Sequence, residues 1–487
     1  MDKKLLQEFQ SSSRDYLNTQ PLNELRAYGR KVGVEEPTKK RKDDLITDIV
    51  DILSGIKQPI KQSTRGAPVK SDYFDPQIPQ KMEEFRRRLY PESALQQEQK
   101  SDVATAKPWK DDENLERLRA FRDQPPNELV LCSSTYKGQL TKIDALYWLL
   151  PLNCSVNGEK LLMAEEFVKR YDLRVGDVID CLAKQSDNFL IVVEIVKVNG
   201  TPLQSLQREK FDEADASYPS EKLQFYKENV GDALTGKYLD WLLPVYRGQR
   251  GIVLSLPKAG KSRLLYTMAQ NLTACEPDVV VLALLVGQSP EEISRYRKTF
   301  NQEQLVYTTY DDDSEWQVFT ANFLLERAKR FAESGKDVVL FVDGLNVLAR
   351  AYNETKDSVG GKLLVGGLES KTLQYIKKFF GSARNLEKSG SLTIVASLSY
   401  GTGDPADELL KTEVSALANL QLDLDEKLAE KRLYPALDLF RSRTLQAERV
   451  DRAEENRLIV LQKRLSEIGA ERLREQLVSA LSLEEIR

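Results

Sequence analysis

The chain has 487 residues, with 71 Lys and Arg against 75 Asp and Glu, a formal net charge of −4, and no histidine. That absence excludes Ser-His-Asp and Cys-His triads and any His-ligated zinc or haem, so acid–base work falls to Glu, Asp, Lys or Tyr. The near-balanced charge gives no global pull toward nucleic acid or membrane, and an anionic partner must be met by local patches.

Length suggests about three domains at roughly 150 residues each. Cys132, Cys154, Cys181 and Cys275 form no CxxC pair and read as buried, reduced thiols. The opening MDKKLLQEFQ has no apolar signal region and no run reaches bilayer length, which predicts a soluble, cytoplasmic protein with no membrane partner.

Residues 1–55 read as an N-terminal helical domain. Leu22, Leu25 and Tyr28 share one helical face, and Leu45, Ile46, Ile49, Ile52 and Leu53 another, with Gly33 ending the first helix. The run Lys39-Lys40-Arg41-Lys42 between them suits either a nucleic-acid contact or an ordinary solvated turn, and Asp43 and Asp44 follow where negative charge favours a helix start. Residues 56–126 are polar and charged and read as a linker with little fixed structure, apart from a charged helix near 79–89.

Short strand-like runs fill 127–200: Leu129-Val130-Leu131, Val175-Gly176-Asp177-Val178-Ile179 and Phe189-Leu190-Ile191-Val192-Val193. Their density predicts a small β-barrel of the OB kind, which often binds oligonucleotides. A connector spans 201–245. From 246 to 450 the runs at 251–254, 279–286, 338–342 and 392–396 are near-continuously apolar and separated by amphipathic helical segments, the pattern of a parallel α/β sheet covered on both faces. Residues 451–487 return to charged amphipathic helix.

The most informative stretch is Leu254-Ser255-Leu256-Pro257-Lys258-Ala259-Gly260-Lys261-Ser262, a strand running into a helix. Such a phosphate loop (P-loop) turns backbone N–H groups toward phosphate oxygens at a helix N-terminus; Lys261 reaches the β- and γ-phosphates and Ser262 ligates Mg²⁺. Ser255 stands where the generic loop has its first glycine. Asp343, ending an apolar strand, reads either as a second Mg²⁺ anchor or as a simple strand-end carboxylate, and a nucleotide with Mg²⁺ is expected.

Longer motifs carry a resemblance. Tyr246-Arg247-Gly248-Gln249-Arg250-Gly251, the loop 257–262, Leu348-Ala349-Arg350-Ala351-Tyr352-Asn353, Phe379-Phe380-Gly381-Ser382-Ala383-Arg384-Asn385 and Ala429-Glu430-Lys431-Arg432-Leu433-Tyr434-Pro435-Ala436 occur in order. Together with Gly390–Ile394 and Lys169–Asp177, they closely resemble the bacterial transcription termination factor Rho family over roughly 127–480. The resemblance implies a cold-shock-like RNA-binding barrel, a RecA-like core, a hexameric ring with ATP between subunits, and RNA in a central channel. It further implies that Pro257, Lys258, Ala259, Gly260, Lys261 and Ser262 hold ATP, that Tyr434 packs on the adenine, and that Arg432 lies at the subunit interface.

The chain also departs from that pattern. The family has Asp-Glu-Arg-Pro-Glu-Glu after its second strand, its Glu activating the attacking water; here Gly287-Gln288-Ser289-Pro290-Glu291-Glu292 puts Gln288 in the catalytic place and Ser289 in place of an Arg. An amide can orient water but cannot take its proton. Ser289, Pro290 and Glu292 read as a helix start. Leu445 replaces the family's arginine finger, with Arg443 two residues away. Loss of such a finger costs on the order of 10³ to 10⁵ in rate.

The first channel loop keeps Gly361 and Lys362 as RNA contacts, whereas Pro405, beside Asp404, replaces the lysine of the second. In the barrel, Tyr136-Lys137-Gly138-Gln139-Leu140 replaces an aromatic ribbon; Tyr136 and Phe189 can stack on bases or serve as core and rim aromatics. These features predict a ring protein in transcription termination or its regulation, a helicase-type hydrolase with weakened turnover. The alternative is a catalytically silent paralogue serving as an RNA-binding assembly, or as a regulator acting with RNA polymerase or an active family member. A rotary-ATPase subunit fits less well, because the barrel and the glycine–lysine loop precede the Phe379-Phe380-Gly381 segment.

Overall fold

A computed structural model describes residues 3–34, 37–53, 57, 78, 81–82, 135–155, 158–186, 189–203, 208–355, 357–358, 360–444 and 469–479. Most of the 56–126 linker, the strand expected at Leu129–Leu131, Cys132, Leu445, and 451–468 and 480–487 of the expected C-terminal helix lie outside those residues. The chain divides into two units, Met1–Ala106 and Lys107–Arg487, each taken by itself.

In the first unit, helices α1 (Lys3–Asn18), α2 (Leu22–Val32) and α3 (Lys42–Leu53) bury Leu17, Leu25, Tyr28, Leu45, Ile49 and Val50 together with Ile78 and Met82. Gly33, at φ 93°, closes α2 by donating its N–H to the Gly29 and Arg30 carbonyls, the left-handed helix stop that glycine adopts without a Cβ penalty. The sequence pattern points to the faces of α2 and α3; α1 is additional, its apolar period interrupted by Ser11-Ser12-Ser13. Two cations of the basic turn are turned inward: Lys40 pairs with Asp48, and Lys42 donates to the Asn18 carbonyl at 2.8 Å.

The second unit begins with a small barrel. Strands β1 (Thr135–Ile143), β2 (Leu146–Leu150), β3 (Leu161–Met163), β4 (Val178–Ser186), β5 (Phe189–Val198) and β6 (Thr201–Pro202) run in the order β3-β2-β1-β4-β5-β6, and a parallel β3–β5 pairing closes the sheet. Leu140, Leu149, Leu161, Ile179, Cys181 and Val192 fill it, and helix α4 (Glu165–Arg170) adds Phe167 and Val168. Closure removes the exposed sheet edge that six short strands would otherwise present.

The larger sheet follows a short strand β7 (Ala216–Ser217) and helix α5 (Ala233–Lys237), which continues into a π-turn at Tyr238–Leu242. Strand β8 (Arg250–Ser255) leads to α6 (Lys261–Cys275), β9 (Val280–Gln288) to α7 (Pro290–Arg297), and β10 (Leu305–Thr309) to α8 (Ser314–Glu333). Then come β11 (Asp337–Asp343), α9 (Leu345–Glu354), α10 (Ser370–Phe380), β12 (Arg384–Leu386) and β13 (Ser391–Ser399). Helix α11 (Pro405–Ser415), β14 (Leu420–Leu424), α12 (Glu426–Glu430), β15 (Leu437–Thr444) and α13 (Ala470–Ser479) complete it. The order is β10-β9-β11-β13-β8-β14-β15, parallel from β10 through β14, with β15 antiparallel at one edge. The four long apolar runs are the neighbouring strands β9, β11, β13 and β8, while β10, β14 and β15 carry weaker signals, Asp423, Arg441 and Arg443 breaking the last two.

Barrel and sheet meet on α8. Arg327, fully buried, donates to the Gln139 side chain at 2.7 Å and to the Leu152 carbonyl in the barrel, and to the Glu303 carbonyl at 2.7 Å in the core. Burial pushes its guanidinium down to about 10, which still leaves it charged at neutral pH, and each of its three nitrogens donates to an oxygen. Gly176, at φ 99°, presses on the same helix: a Cβ there would lie 2.5 Å from the Glu326 carbonyl. Both the left-handed backbone and the contact demand glycine, so Gly176→Ala is expected to cost about 2–4 kcal/mol. Chemical unfolding followed by tryptophan fluorescence reads this, and an unchanged midpoint would show that the joint tolerates a side chain.

Candidate nucleotide-binding site

Parallel strands align their carboxyl ends, and in open α/β sheets ligands bind just beyond those ends. Here Ser255 ends β8 opposite Ser399 of β13, Asp343 ends β11, and Gln288 ends β9. These ends open on a cavity of about 340 Å³ whose lining includes Pro257, Lys261, Gln288, Asp343, Asn346 and Arg350.

The loop from β8 to α6 sets Lys258 at φ 68° and Gly260 at φ 100°, both left-handed. Alternation of this kind turns successive N–H groups to one side and makes an anion-binding concavity at a helix N-terminus. Ser255 replaces the generic glycine without backbone strain, because it is still a strand residue; it is fully buried and its Oγ has no hydrogen-bond partner. Asp343 is 2% exposed and accepts the Ser397 hydroxyl at 2.6 Å, which fixes the carboxylate at the cavity floor. Among the described residues no group of three or more Cys, Asp or Glu clusters as a metal cage. Asp343 on the cavity wall, with Ser262 in the first turn of α6, fits a hydrated Mg²⁺ shared with phosphates better than a protein-enclosed ion.

Gln288 lines the cavity, its amide reaching the Asp343 and Val286 carbonyls only at 3.4 and 3.5 Å, contacts too long to hold it firmly. Ser289 caps α7 through the Glu292 N–H, with Pro290 opening the helix, so Glu291 and Glu292 sit in its first turn and not on the cavity wall.

The sequence reading missed a buried carboxylate on the opposite wall. Asp407, 1% exposed, accepts from Asn346 Nδ2 at 2.6 Å, Thr402 Oγ1 at 2.6 Å and Arg350 Nη2 at 2.8 Å. Its partners stand 5 to 61 positions away, a set that only the fold assembles. Asp404 joins it, bonding Arg350 at 3.1 Å and capping α11 through the Ala406 N–H. That N–H, with Arg350, holds the Asp404 carboxyl below its usual range. Pro405 is then the first residue of α11, where its missing N–H costs nothing.

Tyr434 lies against the loop, and a Cβ on Gly260 would come within 2.8 Å of its ring. Arg432 is exposed at φ 57° and lines neither this cavity nor the small one beside Tyr434. Arg443 is exposed on β15 and contacts Gln421 at 3.4 Å. Lys362 is exposed next to Gly361. In the barrel, Tyr136 is half-buried against the core, Lys137 pairs with Glu303 at 2.7 Å, and Phe189 opens β5. Burial pushes the Cys154 and Cys181 thiols up to about 12.

Comparison with known proteins defines the lineage. Residues 236–444 match the ATP synthase alpha/beta family, nucleotide-binding domain. Transcription termination factor Rho of Karelsulcia muelleri is 37% identical over 303 residues, covering 62% of this chain and 79% of that protein. The chain belongs to the Rho family. Rho of Salmonella typhimurium is 34% identical over 322 residues, covering 65% of this chain and 76% of its own length. A solved structure of an ATPase from a type III secretion system aligns at 19% identity and a TM-score of 0.45, over 61% of this chain and 91% of that one. Among the described residues no helix is long and apolar enough to cross a membrane.

In this Rho-family chain the Asp407 cluster ties the loop after β13 to α9 across the cavity mouth. Replacing Asp407 with Asn turns an acceptor of three donors into a group with its own N–H₂ facing them. Asp407→Asn is expected to destabilise the protein by about 2–4 kcal/mol. A thermal unfolding scan that superimposes on that of the wild type would refute this.

Proposed function

We propose that this chain binds ATP and RNA and acts in transcription termination or its regulation, as a ring protein of six copies with weakened hydrolysis. Lys258, Lys261 and the loop N–H groups hold the phosphates, Ser262 and Asp343 hold Mg²⁺, and Tyr434 faces the base. Nucleotide sits between subunits and RNA in the central channel, touched by Gly361 and Lys362 and, on the barrel, by Tyr136 and Phe189. The supporting observation is the cavity at the strand ends, with Lys261 and Asp343 on its wall and Gln288 where hydrolysis calls for a carboxylate.

Bound Mg²⁺ would neutralise charge on the transferring phosphoryl group; the chain's own contribution is to cradle and orient. An amide at Gln288 can align water without accepting its proton, and an aliphatic Leu445 offers no charge to a transition state. Lys137 is paired with Glu303 and Pro405 carries no charge, so neither position adds a free cation for phosphate contacts. These same observations favour a second reading, a silent paralogue that works as an RNA-binding assembly or beside RNA polymerase or an active family member.

RNA-stimulated phosphate release separates the two. Wild type is expected to bind Mg-ATP and turn over slowly, while Lys261→Ala weakens ATP binding by about 100-fold through loss of a charge-assisted contact. Gln288→Glu combined with Leu445→Arg is expected to raise turnover on the order of 10²-fold or more. Turnover at typical enzyme rates in the wild type would overturn the weakened-hydrolysis reading.

A further inference from the structure

Next to the phosphate loop the structure holds a stacking arrangement that the nucleotide reading does not use. Arg263, the third residue of α6, is exposed, and its guanidinium carbon lies over the Tyr434 ring, 4.3 Å from its centre. This is a distance at which a planar group stacks on an aromatic face, and a guanidinium there gains from the ring quadrupole. The ring cannot easily retreat. Its edge is already against Gly260, Pro435 and Ala436 behind it are buried, and its own carbonyl accepts Arg474 Nη1 at 2.8 Å. The space left beside it, lined by Asp232, Thr235, Gly260, Arg263, Leu424 and Tyr434 among others, amounts to about 10 Å³. That holds about one water and no purine.

We infer that Arg263 occupies the stacking face of Tyr434 as a built-in competitor for the base, so that nucleoside triphosphates are held chiefly by their phosphates and base identity counts little. This rests on the proposal that nucleotide binds at this loop. The phosphate cradle is formed without Arg263, whose side chain is absent from the lining of the larger cavity. A base reaches Tyr434 only when the guanidinium swings into solvent, giving up its contact with the ring. The device therefore acts on affinity and specificity, and leaves the phosphate site intact.

Titration calorimetry with Mg-ATP, Mg-GTP and Mg-tripolyphosphate on the full chain and on Arg263→Ala tests this. Wild type is expected to bind ATP and GTP within about threefold of each other and less than about tenfold more tightly than tripolyphosphate, since stacking is opposed. Arg263→Ala, at an exposed helical position where alanine is well tolerated, should tighten ATP by about two- to fivefold, the worth of an exposed cation–π contact, and leave tripolyphosphate unchanged. Weaker ATP binding by Arg263→Ala would overturn the inference, because Arg263 would then be a ligand contact. A hundredfold preference of wild type for ATP over tripolyphosphate would overturn it too. If neither compound binds wild type, the nucleotide reading itself fails, and this inference with it.

Discussion

Four neighbouring strands, β9, β11, β13 and β8, run parallel and finish at one edge, and the site is built on that edge. Strands buried on both faces cannot slip by one residue without turning apolar side chains onto backbone, so their register is fixed by burial. That register decides that Gln288, Asp343 and Ser399 share one cavity, though up to 111 positions separate them in the chain, from 288 to 399. Crossover helices then bring in the remaining pieces: α6 opens with the phosphate loop, and α9 and α11 carry Arg350 and Asp407.

Within that frame the charges are unevenly committed. Arg350, a cation on the cavity wall, is held by two carboxylates, and Asp343 is held by a hydroxyl. Lys261 opens its helix, and Gln288 is secured only by long contacts. On the proposed reading, the anion is held by backbone dipoles together with Lys258 and Lys261.

How much of this could be read from the sequence depends on the range of the interaction. The phosphate loop, the Asp343 strand end and the Ser289-Pro290 helix start are local patterns, legible because neighbouring residues make them. The four neighbouring strands declared themselves by continuous apolar runs, whereas β14 and β15 did not, since strands interrupted by Asp423, Arg441 and Arg443 look like loops in one dimension. The Asp407 cluster joins residues from α9, the loop after β13 and α11; nothing about Asp407 in isolation marks it as buried. The Arg263–Tyr434 stack spans 171 positions, from 263 to 434, and is equally invisible until the chain folds. Pro405 shows the opposite: read against the family it is a lost lysine, and the fold adds that it begins a helix.

Helix α8 has 20 residues, so it is a rod of about 30 Å at 1.5 Å rise per residue. One side carries the barrel, through the Phe323 carbonyl, Glu326 and Arg327, and near its end Glu333 receives the Phe211 N–H and pairs with Arg174 at 2.9 Å. Its other side packs on β9, β10 and β11. Because the joint is made of directional hydrogen bonds to a buried cation, it resists sliding better than an oily contact would. The same rod therefore bears the barrel on one side and lies against the strands that end in Gln288 and Asp343 on the other, so that barrel and site share one rigid support.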